Sequence, residues 1–366
     1  MVAVNTAYST TTYYKAAASA QAASKPSGGA APTATAEQAA TSVTLSDEAL
    51  AALAAKDFFA VVADARAKLT TLLSEAGRTS PLEGDKLALD LSSLDARELY
   101  AMATKDQFSA DEKTAAGLEM QRRFEAALAG PAAVAGVTGN FTALYKAAAE
   151  YLDSLSPEEK TGADWIAGRD AITEAQKQLL DDAKKLPDAG EADPVALYLA
   201  LRETGNTAPP QAIEDVAKGA RKTLDALYAD AIKAGKAPTF NKATTVGTFI
   251  DLGKLPSRTL SSIVLDSRGD FSTEEVAAAK AALRNKSGAA LVAGFQNATK
   301  SSDPTAFSQN IMSIFASMSV EERQAAGWSD GFYQAAVESY QSTSKLTQMF
   351  QQAGGDATGF LSWLGK

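Results

Sequence analysis

Two stretches of this chain, 163 positions apart, have similar sequences. The first is LSPEEKTGADW, Leu155 to Trp165, and the second is MSVEERQAAGW, Met318 to Trp328. Upstream, the stretch from Phe108 to Leu128 aligns with that from Phe271 to Leu291 at the same spacing. Matched stretches at a constant spacing indicate an internal duplication. The chain is therefore constrained to a fold that can contain one module twice.

A third pair of stretches supports the same interpretation. DLSSLDAREL (Asp90–Leu99) and DLGKLPSRTL (Asp251–Leu260) are identical at five of ten positions, none of them alanine. Alanine-rich helices match by chance, so the evidence rests on the matched Phe, Ser, Glu, Leu, Arg and Trp residues. We predict that residues 85–185 and 246–352 are tandem copies of one multi-helix module, called here the first copy and the second copy.

Composition predicts an all-α fold. Much of the 46% hydrophobic content is alanine, and aromatic residues make up only 7%, which favours closely packed helices over sheets. Four further segments complete the predicted organisation. They are a disordered N-terminal tail (1–40), a leading amphipathic helix with its connection (41–84), a helical connecting segment (186–245) and a C-terminal tail (353–366).

Residues 1–40 are rich in Ala, Ser and Thr and contain no acidic residue before Glu37. Such a segment cannot bury enough apolar surface to offset its ordering entropy, so we expect a flexible tail. It lacks the basic start and continuous apolar core of a secretory signal peptide. In composition it is similar to the uncleaved export signals of flagellar and type III secretion substrates. That resemblance implies export, and the alternative is a plain flexible tail.

The sequence from Ser46 to Gly77 predicts a long amphipathic helix. Ser46 is a candidate N-cap, apolar residues from Leu50 to Leu72 recur on one face, and Gly77 offers a left-handed stop. The start of this helix, Val43 to Ser46, resembles a short Val-x-Leu-Ser phrase in flagellar anti-sigma factors. No role is implied for these residues, since the rest of the chain does not follow that pattern.

Ser-x-x-Glu occurs four times at predicted helix starts and predicts four capping boxes. The pairs are Ser109/Glu112, Ser156/Glu159, Ser272/Glu275 and Ser319/Glu322. The adjacent glutamates Glu158/Glu159, Glu274/Glu275 and Glu321/Glu322 are also candidates for paired catalytic carboxylates. Helix-start chemistry explains their positions better, because each pair falls in the first turn after a serine.

Two further motifs were weighed against plain structural roles. Trp165 and Trp328, predicted two and a half turns into their helices, suit either core packing or ligand stacking, and packing is favoured because no polar groups converge on them. The stretch from Val264 to Glu275 partly fits a calcium-binding loop. Val264 and Arg268 stand where that loop needs ligands, so a turn leading into a capping box is favoured.

The connecting segment 186–245 is predicted to be structured. Asp193 and Pro194 suit the N-cap and first position of a helix, and a second amphipathic helix runs through Val216, Leu224 and Leu227 to about Gly235. The C-terminal tail carries four large apolar residues on a short segment. We expect it to dock on the second copy or to mediate association. Those residues are Phe360, Leu361, Trp363 and Leu364.

Several functional classes are disfavoured by composition. The chain has neither Cys nor His, so thiol nucleophiles, cysteine zinc sites and histidine bases are excluded. A net charge of -9 argues against nucleic-acid binding, and no run of about 18 apolar residues predicts a membrane span. No phosphate-binding glycine motif occurs. We assign no catalytic, cofactor-binding or metal-binding residue.

The sequence thus predicts a non-enzymatic structural or protein-interaction protein in a bacterial setting. Its expected partner is another protein or a second copy of itself. One hypothesis is export by a flagellar or type III-like route, or membership of a surface assembly, with a location outside the cell or on its surface. The alternative is an intracellular, cytoplasmic adaptor or regulator whose partner docks between the two copies.

Overall fold

The computed structural model describes residues 47–243 and 245–352; side chains are described from Phe58 on, except those of Phe350 and Gln351. This part of the chain is all-α, as predicted. The predicted tails 1–40 and 353–366, and the predicted N-cap Ser46, lie outside the described residues.

Thirteen helices occur in the described residues. In chain order they are α1 (Asp47–Ala76), α2 (Ala96–Thr104), α3 (Ala110–Thr138), α4 (Thr142–Ser154), α5 (Pro157–Lys160), α6 (Ala163–Asp181), α7 (Pro194–Glu203), α8 (Ile213–Lys233), α9 (Ser257–Leu265), α10 (Thr273–Thr299), α11 (Ala306–Ser317), α12 (Val320–Ala326) and α13 (Asp330–Gln352).

Two short strand pairs interrupt the helices. Strands β1 (Leu82–Glu83) and β2 (Lys86–Leu87) form an antiparallel hairpin. Strands β3 (Ala237–Thr239) and β4 (Gly247–Phe249) pair in parallel, with Ala237 opposite Gly247. A 3₁₀ turn (Leu252–Lys254) follows β4. The sequence did not predict these strands.

Contacts divide the described residues into two compact units. The first unit comprises residues 47–121 and 154–168, and the second comprises 122–153, 169–243 and 245–352. Helices α3 and α6 therefore each begin in the first unit and end in the second. The unit boundaries differ from the predicted copy boundaries, because each copy was delimited by sequence similarity and not by contacts.

The core of the first unit lies between α1 and α2. Val62, Ala65 and Leu69 are buried on one face of α1, at the three- and four-residue spacing that brings side chains to the same side of a helix. They pack in one cluster with Leu99 and Met102 of α2. The predicted face of the leading helix is thus confirmed. Its predicted stop is confirmed as well, since Gly77 has a φ of +61°.

The main core of the second unit lies among α8, α9 and α10. Leu224, Leu260, Ile263 and Leu283 are almost completely buried there. The connecting segment contributes α8 to this core, so the prediction that it is structured is confirmed. The predicted helix start is confirmed too, because the Asp193 side chain accepts hydrogen bonds from the first backbone N–H groups of α7.

A smaller cluster in the second unit joins α3, α11 and α13. Val134, Ile311, Met312 and Ala336 are buried in it. Close approach of α3 and α11 depends on Gly130, since a Cβ atom there would lie 2.6 Å from the backbone oxygen of Ser313.

Helices in the two predicted copies follow the same order of lengths. Each copy has a nine-residue helix (α2 and α9), a long helix of 29 or 27 residues (α3 and α10) and a helix of 13 or 12 residues (α4 and α11). A short capped helix and a longer final helix complete each series. The duplication accounts for this order, and it stays a prediction.

Candidate interaction sites

The capping box at the start of α3 is tied to α1 by an arginine. Ser109 N–H donates to Glu112 Oε2 at 2.6 Å, and Glu112 N–H donates to Ser109 Oγ at 3.3 Å. Arg66 of α1 donates to Glu112 Oε1 at 2.6 Å and lies 4.2 Å from the centre of the Phe108 ring. Burial alone would raise the pKa of Glu112, but hydrogen bonds from Arg66 and Ser109 lower it below its usual value.

The capping box at the start of α10 has the same construction. Ser272 and Glu275 exchange hydrogen bonds of 2.7 and 3.2 Å, and Arg221 of α8 lies 2.8 Å from the Glu275 carboxylate. The guanidinium lies 5.5 Å from the Phe271 ring centre, and the Tyr228 hydroxyl donates to Glu275 at 2.7 Å. Burial would raise the pKa of Glu275, but these hydrogen bonds keep it below its usual value.

An arginine inside each predicted copy contacts the short helix of the same copy. Arg97 of α2 donates through Nε to Glu158 at 3.0 Å, and its Nη2 makes a further bond to the same carboxylate. Arg258 of α9 donates to Ser319 Oγ at 2.7 Å and lies 3.7 Å from Glu321. The bond from Arg97 lowers the pKa of Glu158. These glutamates, considered for catalysis above, are therefore engaged in ion pairs.

Of the four predicted capping boxes, three are confirmed and one is incomplete. Besides the two described above, Ser319 and Glu322 exchange hydrogen bonds of 2.8 and 3.2 Å. Glu159 N–H donates to Ser156 Oγ at 3.2 Å, but the Glu159 carboxylate makes no return bond. That prediction was wrong: Glu159 is 5% exposed, and its Oε2 has no hydrogen-bond partner within the described residues. Burial alone does not keep the box open, because Glu98 and Glu275 are equally buried and close theirs, each with a lysine or arginine bound to the carboxylate. Burial raises the pKa of Glu159 to about 7.

One capping box was missed by the sequence search. Asp95 and Glu98 exchange hydrogen bonds of 2.8 Å in both directions at the start of α2. Lys68 of α1 also lies 2.7 Å from the Glu98 carboxylate. The Asp-x-x-Glu pattern is the same signal with a carboxylate as the cap, and a search that included Asp would have found it.

The predicted positions of the two tryptophans within their helices were wrong. Helix α5 ends at Lys160, and Trp165 is the third residue of the next helix. Trp328 lies between α12 and α13, because Gly327 ends α12 in the left-handed conformation with a φ of +74°. Trp328 is half-buried and packs against Phe315 and Phe332, with ring centroids 6.4 and 5.0 Å away.

The stretch from Val264 to Glu275, which partly fits a calcium-binding loop in sequence, forms a turn that leads into a capping box. Asp266 adopts a positive φ of 38°, and its carboxylate accepts hydrogen bonds from the backbone N–H groups of Asp270 and Phe271. Glu275 is bound to Ser272 and Arg221 as described above. In the part of the chain that the structure describes, no three His, Cys, Asp or Glu residues are grouped to hold a metal ion.

A polar cavity of about 240 Å³ lies within the second unit. Residues of both predicted copies line it: Thr138, Asn140 and Lys184 belong to the first, and Asp303, Tyr340 and Gln348 are among those of the second. The Asp303 carboxylate accepts hydrogen bonds from Thr305 and Gln309. The cavity thus presents hydroxyl and amide groups together with one lysine.

The two turns beside this cavity have matching hydrogen bonds. Thr142 N–H donates to Asn140 Oδ1 at 2.9 Å, and Thr305 N–H donates to Asp303 Oδ1 at 2.8 Å. Two residues before each of these acceptors, a hydroxyl accepts from the backbone: Asn140 N–H donates to Thr138 Oγ1, and Asp303 N–H donates to Ser301 Oγ, both at 3.0 Å. The matched residues are 163 positions apart.

The C-terminal half of α10 has an exposed surface without charged residues. Residues 287–299 contain no Asp, Glu, Lys or Arg, and Val292 and Phe295 in this stretch are 56% and 55% exposed. In the matched part of α3, Ala132 stands where α10 has Phe295 and is only 2% exposed. The same helix face is therefore buried in the first copy and open in the second. Sequence reasoning did not identify it.

None of the helices within residues 47–243 and 245–352 combines the length and the apolar character needed to cross a bilayer. Comparison with protein-family models, with curated proteins and with solved structures found no match to this chain.

Proposed function

We propose that this chain is a non-enzymatic protein that binds another protein through the uncharged face of α10, which we call the α10 face (Gly288, Ala289, Val292, Ala293 and Phe295). The carrying observation is the exposure of Val292 and Phe295 one turn apart on a 13-residue stretch without charge. Side chains three apart project from the same side of a helix and can enter one groove of a partner.

The state of most candidate catalytic glutamates supports a binding role; Glu159, whose pKa burial raises to about 7, is the exception. Glu158 pairs with Arg97 and Glu322 closes a helix cap, while Glu112 and Glu275 each do both. Carboxylates held this way stabilise helix starts and have their pKa values lowered or their oxygens occupied, which opposes general-acid chemistry at neutral pH.

The difference between the copies indicates what kind of surface would cover the α10 face. In the second unit, Gly130 of α3, which matches Ala293 of the α10 face, approaches Ser313 of α11, and Val134, one turn further along α3, packs in a cluster with Ile311 and Met312 of α11. A partner for the α10 face would accordingly present an apolar helix face. Burial of Val292 and Phe295 would contribute roughly 1.5 to 3 kcal/mol for each side chain before the cost of association.

A second candidate is the adaptor whose partner binds between the two copies. The polar cavity favours it, since Asn140 and Lys184 of the first copy and Tyr340 and Gln348 of the second line the same space. Lys184 makes no ion pair within the described residues, and its ammonium could bind a carboxylate of a partner. Export by a flagellar or type III-like route remains part of the first proposal, with residues 1–40 as the address.

Site-specific photo-cross-linking in the native host tests both candidates. A photoreactive amino acid at Val292 or Phe295 should give a discrete adduct, and the same probe at Ala281, exposed on the same helix, is the control. An adduct of twice the chain's mass means self-association. Phe295→Glu should abolish the adduct formed through Val292 while circular dichroism stays unchanged.

Cross-linking at Val292 and Phe295 no stronger than at Ala281 would contradict binding through the α10 face. A probe at Gln348 that alone gives an adduct would place the adaptor hypothesis first.

A further inference from the structure

Glu159 carries a buried carboxyl group, and in the described part of the chain one of its oxygens is unsatisfied. Its side chain is 5% exposed, and Oε2 has no hydrogen-bond partner within the described residues. Only its backbone N–H takes part in the cap, through the 3.2 Å bond to Ser156 Oγ. Buried charges in proteins are normally paired or hydrogen-bonded, because removing an ion from water costs several kcal/mol. Ionised Glu159 would lack that compensation.

The corresponding glutamate of the second copy shows what Glu159 lacks. Glu322 has the same Ser-x-x-Glu context and closes its box through a 2.8 Å bond from Ser319 N–H. It is also only half-buried. The local sequence is therefore compatible with a closed box in both copies, and burial distinguishes Glu159 from Glu322.

The groups around Glu159 do not supply a positive charge to it. Helix α2, which packs on α5, presents Tyr100 and Arg97, but the Arg97 guanidinium is bound to the neighbouring Glu158. Asp164 on α6 adds a further negative charge near Tyr100. Burial is the largest cause of the raised pKa of Tyr100, and the negative charges of Glu159, Glu158 and Asp164 raise it further. Ionisation of Glu159 would thus add a negative charge near Tyr100, where Glu158 and Asp164 already act. Lys160, the next residue, is partly exposed.

Glu159 lies within residues 154–168, so its ionisation is expected to affect the packing of that segment. Residues 154–168 belong to the first unit, although the residues on both sides of this segment belong to the second. Within the segment, Ser154 ends α4, 157–160 form α5 and 163–168 are the first residues of α6. Helix α5 is a separate four-residue helix that packs against α2.

We propose that Glu159 is a proton-operated latch that holds residues 154–168 on α2 when its carboxyl is neutral and loosens that segment when it ionises. The direction follows from burial, which raises the pKa to about 7 from the usual value near 4.5. Between these values the folded state binds more protons than the unfolded one. Packing of the segment is therefore strongest below about pH 4.5, weakens as pH rises towards 7, and levels off above that.

Hydrogen exchange of the full chain, read by mass spectrometry from pH 5 to 8 and corrected for intrinsic rates, tests the latch. Protection of peptides from residues 154–168 should fall about tenfold or more over this range, since each pKa unit corresponds to a tenfold change in equilibrium. Glu159→Gln should stay protected throughout. Glu322→Gln, the matched control in the second copy, should keep the wild-type pH dependence in 154–168.

Protection independent of pH in the wild type, or an unchanged pH dependence in Glu159→Gln, would overturn the latch. NMR titration of the Glu159 carboxyl carbon in the wild type needs no variant. A midpoint above pH 6 is expected, and a midpoint near the usual value for glutamate would overturn the proposal even if Glu159→Gln fails to fold.

Discussion

Gly130 of α3 lies so close to Ser313 of α11 that a methyl group on the glycine would stand 2.6 Å from the serine backbone oxygen and 2.5 Å from its hydroxyl oxygen. A backbone atom cannot move aside as the end of a flexible side chain can. Both residues lie beside the cluster of Val134, Ile311 and Met312, where a helix of the first copy packs on a helix of the second.

We expect Gly130→Ala to destabilise the protein by about 1 to 3 kcal/mol, the usual cost of overpacking, even though alanine is the better helix former. Gly136→Ala is the matched control, because Gly136 lies in the same helix and a Cβ there meets nothing within 4 Å. It should stabilise by about 0.5 to 1 kcal/mol. Urea unfolding measures both, and effects of the same sign would contradict the close approach.

Ser319→Ala should destabilise by about 1 kcal/mol through loss of the helix cap. The hydroxyl accepts from Glu322 N–H at 3.2 Å and also receives a 2.7 Å bond from Arg258, so two partners lose it at once. Ser156→Ala, where the bond from Glu159 N–H is lost and no arginine bond to the serine is present, should cost somewhat less. Thermal and urea unfolding compare the two, and an unchanged stability in Ser319→Ala would refute the capping role.

The free energy of unfolding should fall at acidic pH, because several glutamates have lowered pKa values in the folded state, whereas that of Glu159 is raised. Glu112, Glu158 and Glu275 have pKa values lowered in the folded state, so the stability they contribute is present above the unfolded value and is lost as pH falls below about 4. Glu275→Gln should flatten the acid limb of urea unfolding measured from pH 6 to 3. Glu274→Gln, which removes an adjacent exposed charge without breaking an ion pair, is the control. Equal acid limbs in both variants would contradict the assignment.

The export hypothesis concerns residues 1–40, which lie outside the described residues. Deletion of this segment should leave helical content and melting temperature nearly unchanged, because we expect it to make few native contacts. Full-length and truncated chains should be compared in culture supernatant and cells, with the flagellar or type III apparatus intact and disabled. Retention of the full-length chain in all cases would favour the adaptor, and unfolding of the truncated chain would move the boundary at 41.

Local signals in the sequence were read correctly. The buried face of α1, the Asp193 cap and three capping boxes depend on residues within a turn or two of each other. The tryptophan positions were wrong because a capping signal fixes where a helix starts and not where it ends. Gly327 could have indicated the end of α12, since glycine is the usual left-handed terminator.

Features that depend on packing were not predictable from the sequence. Ser156-x-x-Glu159 and Ser319-x-x-Glu322 have the same spacing, yet only the second closes. Glu159 is buried, and its Oε2 has no partner within the described residues. Likewise, nothing in the residues of α10 reveals that its uncharged half is exposed while the matched half of α3 is covered. Burial is decided by contacts between distant segments, and one sequence carries no direct record of them.

One arrangement, an arginine from two helices earlier bound to a capping-box glutamate, stabilises the start of the long helix in both predicted copies: Arg66 of α1 binds Glu112 of α3, and Arg221 of α8 binds Glu275 of α10. Double-mutant cycles for Arg66/Glu112 and Arg221/Glu275, using Ala and Gln replacements and urea unfolding at pH 7, test it directly. We expect favourable coupling of roughly 0.5 to 1 kcal/mol in each cycle, moderated by the partial exposure of both arginines. At pH 3 both couplings should shrink. Coupling in only one cycle, or in neither, would contradict the claim.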